Sequence, residues 1–244
     1  FQRPTHRLLA QAMPLIRKKG IAVVVDMDDD LSKIDPRNPA FILMHPAGGK
    51  DHSWSNVQRA CEAATLVTVS TAPLLDVYAK KSRGVVLPNY VPHFFTQLQH
   101  DDSCVVGWGG SVHSHPDDLQ EMGPAISRIS REVPFKVVGP DKGLDLALGK
   151  TVASRIEATG PIDFLEWPHN IAKHLGIGVA PTADTKFNRA KSWLKPLEYA
   201  ACGIPSVSSP RPEYAALASK WGVGLTADSP KNWYRTTMQL VRNG

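Results

Sequence analysis

Short apolar runs alternate with amphipathic stretches from one end of the chain to the other. Leu8, Leu9, Ala12, Leu15 and Ile16 recur at helical spacing, and Lys18, Lys19 and Gly20 close the helix they predict. The run Ile21 to Val25 has the length of a buried strand and stops at a cluster of acids: Asp26, Asp28, Asp29 and Asp30. Residues Ile34 to Trp54 are rich in Pro, Gly and His and predict a long loop. Asn56 to Ala64 reads as a helix, CEAATLVTVST as a strand with Ser70 and Thr71 at the start of the next helix, and VVLPNYVP as a strand with a Pro-bounded exit. In the second half the pattern continues. Cys104 to Val106, FKVVG, RIEATG, IGVAP, SVSS and GVGLTADSP predict strands, with helices over Glu121 to Glu132, in HNIAKH, across Lys191 to Ala201, after Pro212 and over NWYRTTMQLVRNG. Strand and helix alternate throughout, so an α/β fold follows: two Rossmann-like domains facing across a cleft, residues 1–95 and 103–244, with a linker at about Val91 to Asp102.

Composition narrows the class. The chain has 244 residues, 42% hydrophobic and 21% charged, which excludes a disordered tail and suits one large core or two modest ones. No apolar run is long enough to span a bilayer and no signal peptide is visible, so the cytoplasm is the expected compartment, although opening on Phe1 implies a lost start. Cys61, Cys104 and Cys202 are odd in number, far apart and set in apolar segments, as reduced core thiols are. A net charge of +5 favours acidic partners, but the basic residues are scattered without a stripe or interleaved aromatics. Nucleic acid is therefore not expected, whereas an anionic substrate or a membrane surface is.

The stretch Phe187 to Pro205, FNRAKSWLKPLEYAACGIP, carries the most chemistry. On one helix Lys191, Lys195 and Glu198 would fall at i, i+4 and i+7, lining one face with two ammonium groups and a carboxylate near a strand's carboxyl end. That set suits a nucleoside diphosphate, with cations for the phosphates and an acid for the ribose hydroxyls; the plain alternative is a surface helix with one Lys–Glu pair. Gly107, Gly109 and Gly110 in SCVVGWGGSVHSH let a backbone turn close to a phosphate, but the missing third Gly of a dinucleotide fingerprint argues against NAD. The Asp26 to Asp30 cluster could hold a cation or act on a hydroxyl; equally, it is an acidic turn with one Asp capping the next helix. His45 and His52 sit in the long loop without zinc spacing, and Trp167 reads as core.

These residues resemble a known family. Glu198, Ala201, Cys202, Gly203 and Pro205 match the carboxyl-half signature of GT-B glycosyltransferases of the retaining group 1, or family 4, type, in a variant form FN-x-x-KS-x-x-K-x-x-EY. The family's first Glu, eight positions before Glu198, is replaced by Ala190. A His-Asp pair ends the equivalent of the first strand in that family; here Asp28 stands at the His position and Asp29 matches the Asp. The resemblance implies transfer of a sugar, with retention, from a UDP-, GDP- or ADP-linked donor to a hydroxyl of a glycan, lipid or protein, with neither cofactor nor metal. By the same resemblance Gly109, Gly110, Ser111, His113, Asn188, Ser192 and Glu198 would bind the donor, with Lys191 and Lys195 taking the diphosphate charge and Asp28 and Asp29 on the acceptor side. It also implies further strands before Phe1, because the amino-terminal half is short for such a domain. A nucleotide-sugar epimerase or a non-catalytic nucleotide-binding module would use the same donor residues.

Overall fold

The computed structural model describes residues 1–48, 52–100 and 103–243, and divides into two compact units. Phe1–Asn89 joins with Thr185–Ser192 in the first; Tyr90–Asp184 joins with Trp193–Gly244 in the second. The eight residues Thr185–Ser192 thus leave the second half of the chain to complete the first unit.

In the first unit, helix α1 (Arg7–Lys18) precedes strand β1 (Val24–Met27), α2 (Ser53–Ala63) leads into β2 (Leu66–Val69), and α3 (Ala72–Tyr78) into β3 (Gly84–Val86). Among the described residues the three strands form one parallel sheet in the order β1-β2-β3, with Val25 opposite Val67 and Val69 opposite Val86. Residues Phe1 to Arg3 run beside the free edge of β1: the Asp26 amide donates to Phe1 O at 2.8 Å and the Arg3 amide to Asp26 O at 3.1 Å. Val25, Met27, Val67 and Val69 are fully buried against Met13 of α1 and Val57 and Ala60 of α2. The segment predicted as one long loop contains a helical turn, Phe41–Met44, closed by His45 stacked on Phe41 with ring centroids 4.3 Å apart, and its last two residues start α2. Gly49, Lys50 and Asp51 of that segment lie outside the described residues, as do Asp101 and Asp102 of the expected linker.

The second unit holds β4 (Val106–Gly109), α4 (Pro124–Glu132), β5 (Phe135–Val138), β6 (Ile156–Ala158), α5 (Trp167–His174), β7 (Ile177–Ala180), α6 (Leu194–Ala201), β8 (Ser206–Ser208), α7 (Pro212–Trp221), β9 (Leu225–Thr226) and α8 (Pro230–Asn243). All its described strands are parallel, in the order β6-β5-β4-β7-β8-β9. In chain order that is 3-2-1-4-5-6, the doubly wound arrangement, whose direction reverses between β4 and β7. The two-residue period of the strands sorts their side chains between two helical layers. Val106, Trp108, Val137 and Val179 join α4 and α8 in one apolar layer, which includes Ile126, Ile129 and Trp233. Val138 and Ala180 face the other layer, with Ile171 and Leu175 in and after α5 and Tyr199 of α6.

The glycines of GWGG divide between two roles for the same reason. Gly107 and Gly109 lie within β4 on the α5/α6 side, where a Cβ on Gly107 would collide with the Leu175 side chain and one on Gly109 would come 3.1 Å from the Trp167 ring. They bring helices close to the sheet instead of turning the chain around a phosphate. The turn belongs to Gly110, at φ +150°. Beside it Gly139, at φ +146°, must stay bare because a Cβ would overlap the Gly110 carbonyl.

Candidate functional site

Open doubly wound sheets bind ligands at the carboxyl ends of the strands where the order reverses, because loops there diverge to opposite faces. In the second unit that point lies between Gly109 at the end of β4 and Ala180 at the end of β7. The β4–β7 ladder pairs Val106 with Ile177 and Gly107 with Gly178 and stops there, although both strands continue.

Helix α6 delivers side chains to that reversal point. Lys195, in its first turn, reaches the end of β4: its Nζ donates to the Gly109 carbonyl and stands 4.7 Å from the centroid of the Trp108 ring. Glu198, one turn further, accepts from the Trp167 indole N–H at 3.2 Å. Its carboxyl pKa is raised, chiefly by burial, while the indole hydrogen bond and the charge of Lys195 pull it down. Lys195 and Glu198 are thus held on one helix face beside the glycine turn, as their spacing predicted.

Backbone donors complete the site differently from the expectation. The Gly109 amide donates to the Tyr199 hydroxyl at 2.8 Å and the Gly110 amide to Val138 O at 3.0 Å, so both are used by the fold. The next amides, of Ser111, Val112 and His113, lie at the start of the 3-10 turn Val112–Ser114, where the first N–H groups have no partner within the turn. Ser111 O accepts from the Ser114 amide at 3.0 Å, and the following His115 has Nδ1 3.3 Å from Asp118. The loop leaving β7 is fixed from two sides. Asp118 accepts from the Ala183 amide at 3.0 Å, and Arg211 donates to Thr182 O at 2.8 Å while pairing with Glu121 and, at 3.3 Å, with Asp184.

Lys191 belongs elsewhere, and the expectation of one helix carrying all three residues is corrected. Helix α6 begins only at Leu194, after Trp193. The preceding Thr185–Ser192 is built into the first unit by Ala190, which is 4% exposed in that unit's core and whose carbonyl accepts from Thr71 Oγ1 at 2.6 Å. Asn188, in the one-turn helix Lys186–Arg189, is buried, and the Ser192 hydroxyl accepts from Asn89 at 2.8 Å. Lys191 itself stands 3.4 Å from Asp29 and 4.6 Å from the Phe187 ring centroid.

At this edge of the first unit the acid cluster is spoken for. Both oxygens of Asp28 accept from the Arg3 guanidinium at 2.6 Å, and a second contact from Arg3 reaches Asp29 at 3.3 Å. Asp26 accepts from Thr68 at 2.5 Å, and Asp30 caps the 3-10 turn Leu31–Lys33 through the Ser32 amide and hydroxyl. The structure therefore brings Lys195 and Glu198 to the Gly109–Gly110 turn in the second unit, which also holds Ser111 and His113, and brings Lys191 to Asp29 beside Asp28 in the first, which also holds Asn188 and Ser192. Trp108, Tyr199 and Arg211 join the second-unit site without having been singled out, and Trp167, read as core, joins it through Glu198. Only Tyr199 had a local signal, four residues after Lys195 on the same helix face.

No protein-family model matches the chain, and no curated protein sequence does. Solved structures do. HepE of Anabaena, in complex with UDP, superposes with a TM-score of 0.62 at 15% identity, over 96% of this chain and 66% of its own. An α,α-trehalose-phosphate synthase (UDP-forming) from Burkholderia vietnamiensis gives a TM-score of 0.54 at 12% identity, over 97% of this chain and 65% of its own. S. aureus TarM, in a complex that includes UDP, gives 0.62 at 13% identity, over 96% of this chain and 47% of its own. The chain is thus similar in fold to GT-B glycosyltransferases, an α/β fold with parallel sheets, and spans just under two thirds of their length or less. Among the described residues no helix is long and apolar enough to cross a membrane.

Proposed function

We propose that this chain is the donor-binding part of a glycosyltransferase that moves a sugar from a nucleoside diphosphate to an acceptor hydroxyl with retention of configuration and without a metal ion. One observation carries the reading: Lys195 sits at the reversal point of the second sheet, on the Gly109 carbonyl and over Trp108, with Glu198 one turn behind it. The Ser111 to His113 amides and the Lys195 ammonium would receive the diphosphate, and Glu198 would accept from a ribose hydroxyl. As the bond between anomeric carbon and phosphate oxygen breaks, negative charge grows on the leaving nucleoside diphosphate. An ammonium about 4 Å from that charge stabilises it by roughly 4 kcal/mol at an effective dielectric of about 20. Lys191 has a smaller role in this scheme, since Asp29 already offsets its charge. UDP is the first donor base to try because the structural neighbours were crystallised with it. The acceptor in this scheme is a hydroxyl of a glycan, a protein, or a lipid at a membrane surface.

The test is nucleotide release from a panel of UDP-, GDP- and ADP-sugars by wild type and Lys195→Ala. The variant should lose about a hundredfold or more in turnover; equal turnover removes the assigned role of the lysine. A second reading, a nucleotide-binding module without turnover, is favoured by one pair of facts. Ala190 occupies the first unit's core where the family has a Glu, and Asp28 is closed off by Arg3. Donor binding with no nucleotide release from any acceptor mixture would decide for it.

A further inference from the structure

Tyr199 is fully buried, and its hydroxyl stands where the β4–β7 ladder fails. The paired register of the two strands ends at Gly107 and Gly178. The Tyr199 oxygen accepts from the Gly109 amide of β4 at 2.8 Å and donates to Val179 O of β7 at 3.3 Å, supplying with one side chain the rung that the separated strands cannot make. The sheet is shaped to receive it. Gly178 faces the ring, and a Cβ there would lie 2.5 Å from it; Gly109 faces the hydroxyl, and a Cβ there would lie 3.5 Å from the oxygen. Tyr199 is four residues from Lys195 and next to Glu198 on α6, so the contact that props the strands apart also sets the height of the helix over the end of β4. The carbonyl that receives Lys195 belongs to the same Gly109 whose amide Tyr199 holds.

We propose that Tyr199 is a positioning residue: its hydroxyl wedges the reversal point of the second sheet open and, by holding the Gly109 N–H, fixes the residue whose carbonyl seats Lys195 for the diphosphate. The inference rests on the donor-site reading for what Lys195 binds, but not for the wedge itself. Two measurements separate them. Amide hydrogen exchange on the wild-type chain should find the Gly109 N–H protected although it lies past the end of the ladder, and Tyr199→Phe should remove that protection. Exchange at the rate of an exposed loop amide in the wild type overturns the proposal whether or not any nucleotide binds, and whether or not the variant folds.

The second measurement is calorimetric titration of UDP, GDP and ADP into wild type, Tyr199→Phe, Lys195→Met and the double variant. Tyr199→Phe should weaken the tightest of the three by about tenfold, the scale of one buried hydrogen bond. In the Lys195→Met background the same exchange should change affinity by less than about twofold, because the residue it positions is gone. Equal losses in both backgrounds would mean that the hydroxyl acts only on general stability, and overturn the proposal. Wild type that binds none of the three nucleotides removes the donor reading and with it the assigned purpose, and leaves amide exchange to judge the wedge.

Discussion

Replacing Glu198 by Gln keeps the side chain's shape and leaves an oxygen for the Trp167 indole, but removes the charge. In the fold, burial raises the carboxyl pKa against the opposing pulls of the indole and Lys195. The folded chain therefore holds a proton at Glu198 more readily than the unfolded chain does. Its contribution to stability is full below the ordinary glutamate range and is lost as pH rises through the raised value. Glu198→Gln carries no such slope, so it should melt above wild type at about pH 8 and converge with it near about pH 4. Binding should move the other way. Trp167 occupies one carboxylate oxygen, which leaves the other for a ribose hydroxyl. A hydrogen bond to a charged group contributes about 1.5 to 3 kcal/mol and a neutral one about 0.5 to 1.5, so the exchange should weaken nucleoside diphosphate binding by roughly tenfold at neutral pH. Calorimetry with UDP and its 2′- and 3′-deoxy analogues, run beside thermal melts across that pH range, measures both. Wild type should discriminate against one of the deoxy analogues and Glu198→Gln should not. A variant that binds UDP as tightly as wild type, or whose melting advantage grows on acidification, refutes the assignment of this carboxylate.

Two further substitutions test how the site and the first unit are built. Gly139→Ala would place a Cβ on the Gly110 carbonyl from a backbone at φ +146°, so it should destabilise the chain by about 2 kcal/mol or more; an unchanged urea midpoint would show that the turn beside β4 is not constrained as described. Thr71→Val leaves the Ala190 carbonyl without its hydroxyl partner at 2.6 Å, at a cost of about 1 to 3 kcal/mol, and should make Thr185–Ser192 the first site of proteolytic cleavage. Cleavage that still begins elsewhere at the wild-type rate would show that this contact does not hold the segment.

Periodicity made most of the second unit legible. The strands FKVVG, RIEATG and IGVAP and the closing helix lie where alternation of apolar runs put them, because each strand of a doubly wound sheet is covered on both faces and reads as a short apolar run. The Lys195–Glu198 pair was legible for the same local reason, that spacing on one helix fixes which side chains share a face. The start of that helix was not legible. Thr185 to Ala201 is compatible with helix along most of its length, and the break at Trp193 follows from long-range packing of Ala190 and Phe187 into a core made by residues more than a hundred positions earlier. The glycines misled for a related reason. Gly107 and Gly109 look like loop residues in one dimension, and only the helices that press on β4 reveal that they are small because Leu175, Trp167 and Tyr199 need the space. Trp167 reaches Glu198 across 31 positions of sequence, and no motif spacing encodes such a pair.

The break at Trp193 also decides which lysine can do what. In sequence the two amines look alike, four residues apart in one stretch. In the fold Lys191 faces the Asp29 carboxylate at 3.4 Å, within a cluster where Arg3 already answers Asp28, so an anion arriving there must compete with a carboxylate in place. Lys195 rests on a peptide carbonyl and an aromatic face at the end of β4, with the Glu198 carboxyl one turn along the same helix. The two lysines thus sit in different units, one on a carboxylate and the other at the reversal point of the second sheet. For that reason Lys191→Met should be felt in the first unit's stability, and Lys195→Met in the affinity for a diphosphate.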